Sequence, residues 1–378
     1  MSVAERYLEL CLRLRRHDED FVDAYFGPAD LAQRINAEPL VEPEKLAAEA
    51  RSLAEADSPY ISAQARGLEI LARKLAREEI GYAEEVEGCY GLRPRRVPEE
   101  RFEEAHRELD GILPPGGTLA ERHTRWRESW VVPEDKVPPV LQALNERLRE
   151  RTKELIGLPE GESTELELVT GEHWTAYNYY LGGQKSRVAV NTDVPVNAVN
   201  VGGLVAHELY PGHHTERAWK EQLLYLERGL LEESVVMYGT PQSVISEGIA
   251  ELAIEMVVDD EDALVAEVLG EWGIEYDAAT AARVRKAREP LERVPNNAAL
   301  LLHEDGASPE DAKAYLKRWW LATETRAKQM VDFVLDPIGR AYITTYTDGY
   351  DLCREWVGGD LTRFKRLLTE QLTPADLT

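Results

Sequence analysis

Apolar side chains recur every three or four residues along most of this chain, and strict alternation of polar with apolar is confined to two short stretches. In 61–78, Ile61, Ala65, Leu68, Leu71 and Leu75 form one stripe among Arg, Lys and Glu. Val140, Leu141, Leu144, Leu148 and Leu155 repeat the pattern in 139–156. That period gathers the apolar groups on one face of a helix and leaves the other solvated. Helix starts are legible as well, at Gly27-Pro28-Ala29-Asp30, Glu42-Pro43-Glu44 and Ser308-Pro309-Glu310-Asp311. In the last of these, Ser is placed to cap, Pro to open the first turn and the acid to bond back. Alternation is found at 164–169 and 187–191. Two strands of that length cannot carry an open sheet, so the expected fold is mainly α with a small β-ribbon packed on the helices. No low-complexity tract or repeat divides the chain. One compact helical domain is expected overall, with an N-terminal helical lobe over 1–130 and a second helical region over 131–378.

Composition narrows the function. Hydrophobic residues make up 43 % of 378, enough to bury a core. Acids outnumber bases 70 to 44, a net charge of −26 that repels phosphate backbones and anionic membrane surfaces, so nucleic acid and membrane are excluded as partners. The N-terminal MSVAERYLELCLRLRRHDED carries charges every few residues and does not read as a leader. No run of about 18 uncharged apolar residues occurs, so no membrane span is expected. Cys11, Cys89 and Cys353 lie far apart and form neither a disulfide framework nor a CxxC site, and a cytoplasmic location is expected.

The chemistry concentrates in VGGLVAHELYPGHHTERAW, where His207, His213 and His214 fall within eight residues. Val201 to Tyr210 reads as an apolar helix with His207 and Glu208 at its C-terminal end. A His followed directly by Glu opens the HExxH zinc-peptidase signature, in which the His binds the metal and the Glu serves as general base. The second His normally stands four residues on, but position 211 is Pro. Pro211-Gly212 should kink or end the helix. On a straight helix His213 would be rotated by about 600° from His207, and His214 by about 700° but displaced roughly 10 Å along the axis. Neither geometry suits one ion that needs nitrogens at about 2.0–2.1 Å. A break at Pro-Gly lets either ring return to His207. The third ligand should be a carboxylate on a second buried helix, and PQSVISEGIAELAIEMVV (241–258) supplies Glu247, with Glu251 one turn later. A buried Glu needs a cationic partner. Two imidazoles and Glu247 leave a fourth tetrahedral position open, the pattern of a catalytic zinc, and Glu251 is placed to accept the second N–H of a ligand histidine.

HELYPGHH followed by ISEGIAE resembles the HExxPGHH and SEGxA motifs of the bacterial family catalogued as domain of unknown function 885, whose members are regarded as helical zinc metallopeptidases of the gluzincin type. The similarity runs from near 164 through the C-terminal helices, takes in NTD at 191–193 and YTDG at 346–349, and is weaker over 1–130. The histidine directly after Pro-Gly is the regular one in that pattern, which favours His213 over His214. Ile249 stands where the family has an aromatic. The resemblance implies a helical zincin-like metallohydrolase with its ribbon beside the active-site helix, Zn2+ as cofactor and a peptide or small amide as substrate.

Tyr342, Tyr346 and Tyr350 recur every four residues and share a helix face. Tyr346 matches the family's Tyr-x-x-Gly motif and is the expected donor to the tetrahedral oxyanion, with its two neighbours read as core. His303 and Glu304 close an apolar helix, where a histidine satisfies the helix end. Arg340 reads as solvated surface. Trp174, Tyr177, Tyr179 and Tyr180 read as packing under the ribbon. The ribbon itself, RVAVNTDVPV, offers an edge to an extended peptide unless Pro195 and nearby charges blunt it. Together these features predict a zinc-dependent metallopeptidase for short or unstructured peptides, in which His207, His213 and Glu247 bind Zn2+ and Glu208 and Tyr346 are catalytic. The alternatives are a non-catalytic acidic helical scaffold and a zinc hydrolase of non-peptide amides or esters.

Overall fold

The computed structural model describes residues 1–172 and 174–378. The stripes read from the sequence become helices. Pro59–Leu75 buries Ile61, Ala65, Leu68 and Leu71, and Val137–Leu155 buries Val140, Leu141, Leu144 and Leu148. Ser308 caps Pro309–Trp319 in a reciprocal box with Asp311. Each fully buried Leu contributes roughly 2 kcal/mol of burial free energy. The fold is mainly helical, as expected.

The β content is larger than a ribbon. Among the described residues there are five strands: β1 (Val22–Tyr25), β2 (Ser163–Val169), β3 (Ala176–Gly182), β4 (Lys185–Asn191) and β5 (Val235–Met237). β2, β4 and β3 form one sheet in that order, with β4 parallel to β2 and antiparallel to β3, and β1 pairs antiparallel with β5. The segment expected to offer a free edge is therefore the central strand, hydrogen-bonded on both sides. β3 escapes an alternation test because Tyr177, Tyr179 and Tyr180 place aromatic side chains on both faces. It returns into β4 through Gly182 and Gly183, both at positive φ (75° and 62°), a backbone that glycine adopts without steric cost.

Four apolar clusters hold the helices together. The first packs Val137–Leu155 against the sheet, the Ala198–Glu208 and Pro241–Val257 helices and the C-terminal segment. Another joins Phe102, Leu109 and Trp126 to Val284, Leu316 and Trp320. The remaining two set Leu8, Leu46 and Leu68 around Val235, and Val86 and Tyr90 around Val244 and Tyr342. Among the described residues no helix is long and apolar enough to cross a membrane.

Three helices position the site: the histidine helix Ala198–Glu208, the glutamate helix Pro241–Val257 and the tyrosine helix Gly339–Val357. The glutamate and tyrosine helices cross at Gly248 and Gly349. A Cβ on Gly248 would lie 2.4 Å from the Gly349 carbonyl oxygen, and one on Gly349 would lie 2.6 Å from that of Val244. Both glycines are needed for the backbones to approach so closely.

Candidate metal centre

The histidine helix stops at Glu208, and a new helix, His213–Lys220, starts immediately after Pro211-Gly212. The chain doubles back so tightly that a Cβ on Gly212 would sit 1.9 Å from the His207 carbonyl oxygen. Only glycine fits there, and its N–H donates to the Ala206 carbonyl at 2.9 Å. The fold-back sets the His213 ring at right angles to that of His207, with centroids 4.7 Å apart.

Glu247 faces both rings. His207 Nε2 lies 3.5 Å from Glu247 Oε2, and His213 Nε2 lies 3.6 Å from Oε1. One ligand atom from each of the three residues falls within 4.8 Å of the others. Ligands of a tetrahedral zinc with bonds of 2.0–2.1 Å stand about 3.4 Å apart, so the donor set fits such an ion with little adjustment. Glu247 Oε2 is buried and has no hydrogen-bond partner among the described residues. Burial drives the Glu247 carboxyl far above the usual range, and neighbouring Glu251 and Glu208 add to the shift while the Tyr342 hydroxyl opposes it. An orphaned acceptor beside two imidazoles is the environment a cation would relieve. Burial also keeps both histidines neutral, with His207 well below its ordinary value and His213 near 3. Neutral imidazole is the form that ligates a metal.

Each of the three residues has a support. Ser246 Oγ donates to Glu216 at 2.6 Å, and Glu216 also accepts from Lys220 at 2.7 Å. The Ser246 oxygen is thereby left to accept from His213 Nδ1, 3.1 Å away, which puts the proton on Nδ1 and turns the Nε2 lone pair toward Glu247. His207 Nδ1 lies 3.5 Å from Glu251 Oε1. Tyr342 donates to Glu247 Oε1 at 2.5 Å. Tyr342 is thus a partner of the site and not only core. Its place one turn before Tyr346 was the signal available for this in the sequence. Ser246 and Glu216 were missed, although each adjoins or closely follows a motif residue.

Glu208 is 8 % exposed beside the triad, and burial raises its carboxyl to about 8. Arg217 opposes that shift, while Asp23 and Glu251 add to it. Arg217 in turn contacts Asp23 at 2.5 Å, and Asp23 also accepts from Tyr177 and Tyr238. Tyr177 therefore does more than pack under the sheet. Asn178 Nδ2 donates to the Glu208 carbonyl at 2.5 Å and ties β3 to the end of the histidine helix. Tyr346 has its ring 5.5 Å from that of Tyr342, and among the described residues its hydroxyl has no protein partner. Burial pushes that hydroxyl well above its ordinary value, helped by Glu247, Glu251 and Glu208.

His214 points the other way, into the protein. Its Nε2 meets Glu162 at 2.9 Å and its Nδ1 meets Ser186 at 2.8 Å, in a knot completed by Tyr210 and Arg149. The other singled-out residues stand outside the site. His303 bonds the Val334 carbonyl at 2.7 Å and stacks on Tyr82. Glu304 accepts the Ala83 N–H, and Tyr350 donates to Glu255. Arg340 is not solvated surface: it pairs with buried Glu85 at 2.6 Å and reaches the Ile80 carbonyl.

No protein-family model matches the chain, and no curated protein matches it. Among solved structures the chain is similar to a protein provisionally described as a lipoprotein from Colwellia psychrerythraea, at 13 % identity and TM-score 0.56, covering 96 % of this chain and 67 % of that one. A provisionally described lipoprotein of unknown function from Shewanella oneidensis is similar at 15 % identity and TM-score 0.53, covering 93 % and 69 %. These two likenesses extend to the fold. A Pyrococcus furiosus carboxypeptidase, in an apo-Mg structure, aligns at 17 % identity and TM-score 0.40 over 90 % of this chain and 73 % of that one.

Proposed function

We propose that this protein is a zinc-dependent hydrolase, a metallopeptidase of the gluzincin kind that cleaves short or unstructured peptides in a reducing, cytoplasmic setting. The observation that carries the reading is the convergence of two neutral imidazoles on a buried carboxylate with an unpartnered oxygen. A His2Glu donor set with one position left open favours zinc and catalysis over a closed structural site. When bound, zinc supplies Lewis acidity, which polarises a scissile carbonyl and acidifies water. The chain's own groups then have distinct tasks. A Glu208 carboxylate oxygen takes the proton of the attacking water and returns it to the leaving amine; burial raises this carboxyl in the metal-free chain, and a cation beside it would favour its ionised form. The free Tyr346 O–H donates to the oxyanion as it develops. Ser246, Glu251 and Tyr342 hold His213, His207 and Glu247 in their ligating orientations. The cytoplasmic setting is supported by three cysteines that are all buried and unpaired.

The test is metal analysis combined with one substitution. The purified protein should hold about one zinc per chain, and Glu208→Gln should keep the zinc while losing hydrolysis of a peptide library. A protein that takes up no zinc after supplementation, or a Glu208→Gln variant with wild-type turnover, would refute the proposal. Simple esters assayed alongside separate a peptidase from a hydrolase of other bonds.

A further inference from the structure

The support behind His213 ends in a buried charge pair that packing alone does not explain. His213, Glu216 and Lys220 recur at steps of three and four on one face of the helix His213–Lys220. Ser246, which precedes Glu247 on the glutamate helix, meets them from across the interface. Lys220 Nζ donates to Glu216 Oε1 at 2.7 Å, and Ser246 Oγ donates to Glu216 Oε2 at 2.6 Å. His213 Nδ1 stands 3.1 Å from Ser246 Oγ. The relay thus joins the helices that carry His213 and Glu247. None of its four members is more than 7 % exposed, so bulk water cannot replace a missing bond. A buried ammonium–carboxylate pair is costly to desolvate, and apolar residues of similar size commonly serve stability as well. The polarity of the pair has no apolar substitute.

Every bond in the relay has a fixed direction because one end cannot be reversed. An ammonium has three donors and no acceptor, so the group facing Lys220 must accept. The Glu216 carboxylate accepts at both oxygens, so Ser246 must donate to it. Only the lone pairs of Ser246 are then left for His213, and Nδ1 must carry the proton while Nε2 stays bare. The opposite tautomer has an attraction of its own. Its Nε2–H would point at Glu247 Oε1, 3.6 Å away, and a small approach would bond two of the three metal-binding candidates to each other. Without a fixed direction at Nδ1, the metal-free centre can close on itself.

We propose that Glu216 and Lys220 are positioning residues that lock His213 in its ligating tautomer and so keep the centre ready for zinc. The proposal rests on the zinc-binding part of the hydrolase reading and names what readies the site. Glu216→Gln exposes the logic. A glutamine offers one oxygen and one NH2 where the carboxylate offers two oxygens, and an NH2 facing Lys220 would set donors against a cation. The oxygen therefore stays with Lys220 and the NH2 turns to Ser246. Ser246 now accepts from the amide, its O–H turns to Nδ1, and the imidazole loses its proton there to solvent and regains one at Nε2, the ligand atom. Adding Lys220→Met removes the cation. The amide then flips, presents its oxygen to Ser246 and turns its NH2 toward a cavity of about 20 Å3 bordered by Glu216, Lys220 and Glu233. The second substitution restores what the first reversed.

The test is nitrogen NMR of the histidine rings in metal-free protein, with His213→Gln identifying the resonances, beside zinc affinity from chelator competition. Wild type should show Nδ1 protonated and Nε2 bare. Glu216→Gln should show the reverse and bind zinc tenfold or more weakly. Glu216→Gln with Lys220→Met should return to the wild-type tautomer and recover most of the lost affinity, a gain that a damaged fold cannot produce. Ser246→Ala cuts the relay, so adding Glu216→Gln to it should change neither tautomer nor affinity further, and this pair decides the matter where Lys220→Met lowers stability. A proton kept on Nδ1 in Glu216→Gln, a double variant no better than the single one, or a further loss in the Ser246→Ala background overturns the relay. The tautomer switch in a protein that takes up no zinc refutes the hydrolase reading and leaves the relay standing, while zinc-dependent hydrolysis without the switch does the reverse.

Discussion

Gly248→Ala should separate the two helices that bring the tyrosines to the metal centre. The new methyl would lie 2.4 Å from the Gly349 carbonyl oxygen and 2.5 Å from Cys353 Sγ. Comfortable non-bonded contact needs about 3.5 Å, so the tyrosine helix must retreat by about 1 Å. The Tyr342–Glu247 hydrogen bond, now 2.5 Å, would open to about 3.5 Å and cease to be one. Overpacking of this kind costs about 1–3 kcal/mol, and a lost hydrogen bond to a buried charged group costs about 1.5–3 kcal/mol. The two losses are one displacement seen twice and are not added, so a total of about 1.5–3 kcal/mol is expected. Urea unfolding should show a lower midpoint at unchanged slope, and chelator competition should show zinc affinity reduced at least tenfold. Adding Cys353→Ala should not rescue the variant, because the Gly349 carbonyl remains in place. Gly270→Ala is the control: that glycine lies in the helix Glu261–Glu271 with nothing within 4 Å of a new Cβ, and the change should be neutral or slightly stabilising. A Gly248→Ala protein with wild-type stability and zinc affinity would refute the close-crossing account.

Three further outcomes are expected. In zinc-free protein the folded Glu208 titrates near 8 against an ordinary 4.5, so the native state binds more protons between these values and stability falls as pH rises toward 8. The buried histidines, with depressed values, cost stability only below about 6.5, whereas Glu247, which burial drives up as well, adds to the fall over this range. Comparing the change in urea midpoint between pH 6.5 and pH 8 for wild type and Glu208→Gln therefore assigns about 1.5 kcal/mol of the loss to Glu208. Glu251, with a side chain 42 % exposed, is screened and left out of that figure, and equal falls in the two proteins would contradict the assignment. Tyr342→Phe should weaken zinc binding by about tenfold or more, whereas Tyr346→Phe should leave it intact and lower kcat about a hundredfold at similar KM, measured by chelator competition and steady-state kinetics.

Local patterns revealed the helices, because three- and four-residue stripes and Ser or Pro at helix starts are short-range signals. The kink was equally legible, since Pro211 occupies the position where an unbroken helix would carry the second ligand. Other features required the fold. His213 and His214 are adjacent, and only the direction of the returning chain decides which ring meets His207. The partners of His214 lie 52 and 28 residues away, at Glu162 and Ser186, and no local periodicity encodes them. Tyr342 and Tyr346 share a face and differ only in that the first reaches Glu247. β3 was hidden by aromatics on both its sides, so the central position of β4 was hidden with it.

The residues that hold the ligands are themselves held without a metal. On one side, the knot of His214, Glu162, Tyr210, Arg149 and Ser186 ties the kink to the sheet and to the Val137–Leu155 helix, and every ring nitrogen in it is paired. On the other, the glycine crossing clamps the glutamate helix to the tyrosine helix. Between these clamps lie two buried acids, Glu208 and Glu247, both shifted upward chiefly by burial, with the more exposed Glu251 at their edge. Such groups oppose folding when ionised, so the packing around them must supply the rigidity that they do not. On the proposed reading, the free energy a cation would gain there goes into relieving preformed acidic groups and not into ordering the chain, which would distinguish the centre from zinc sites whose ligands are assembled only by the metal.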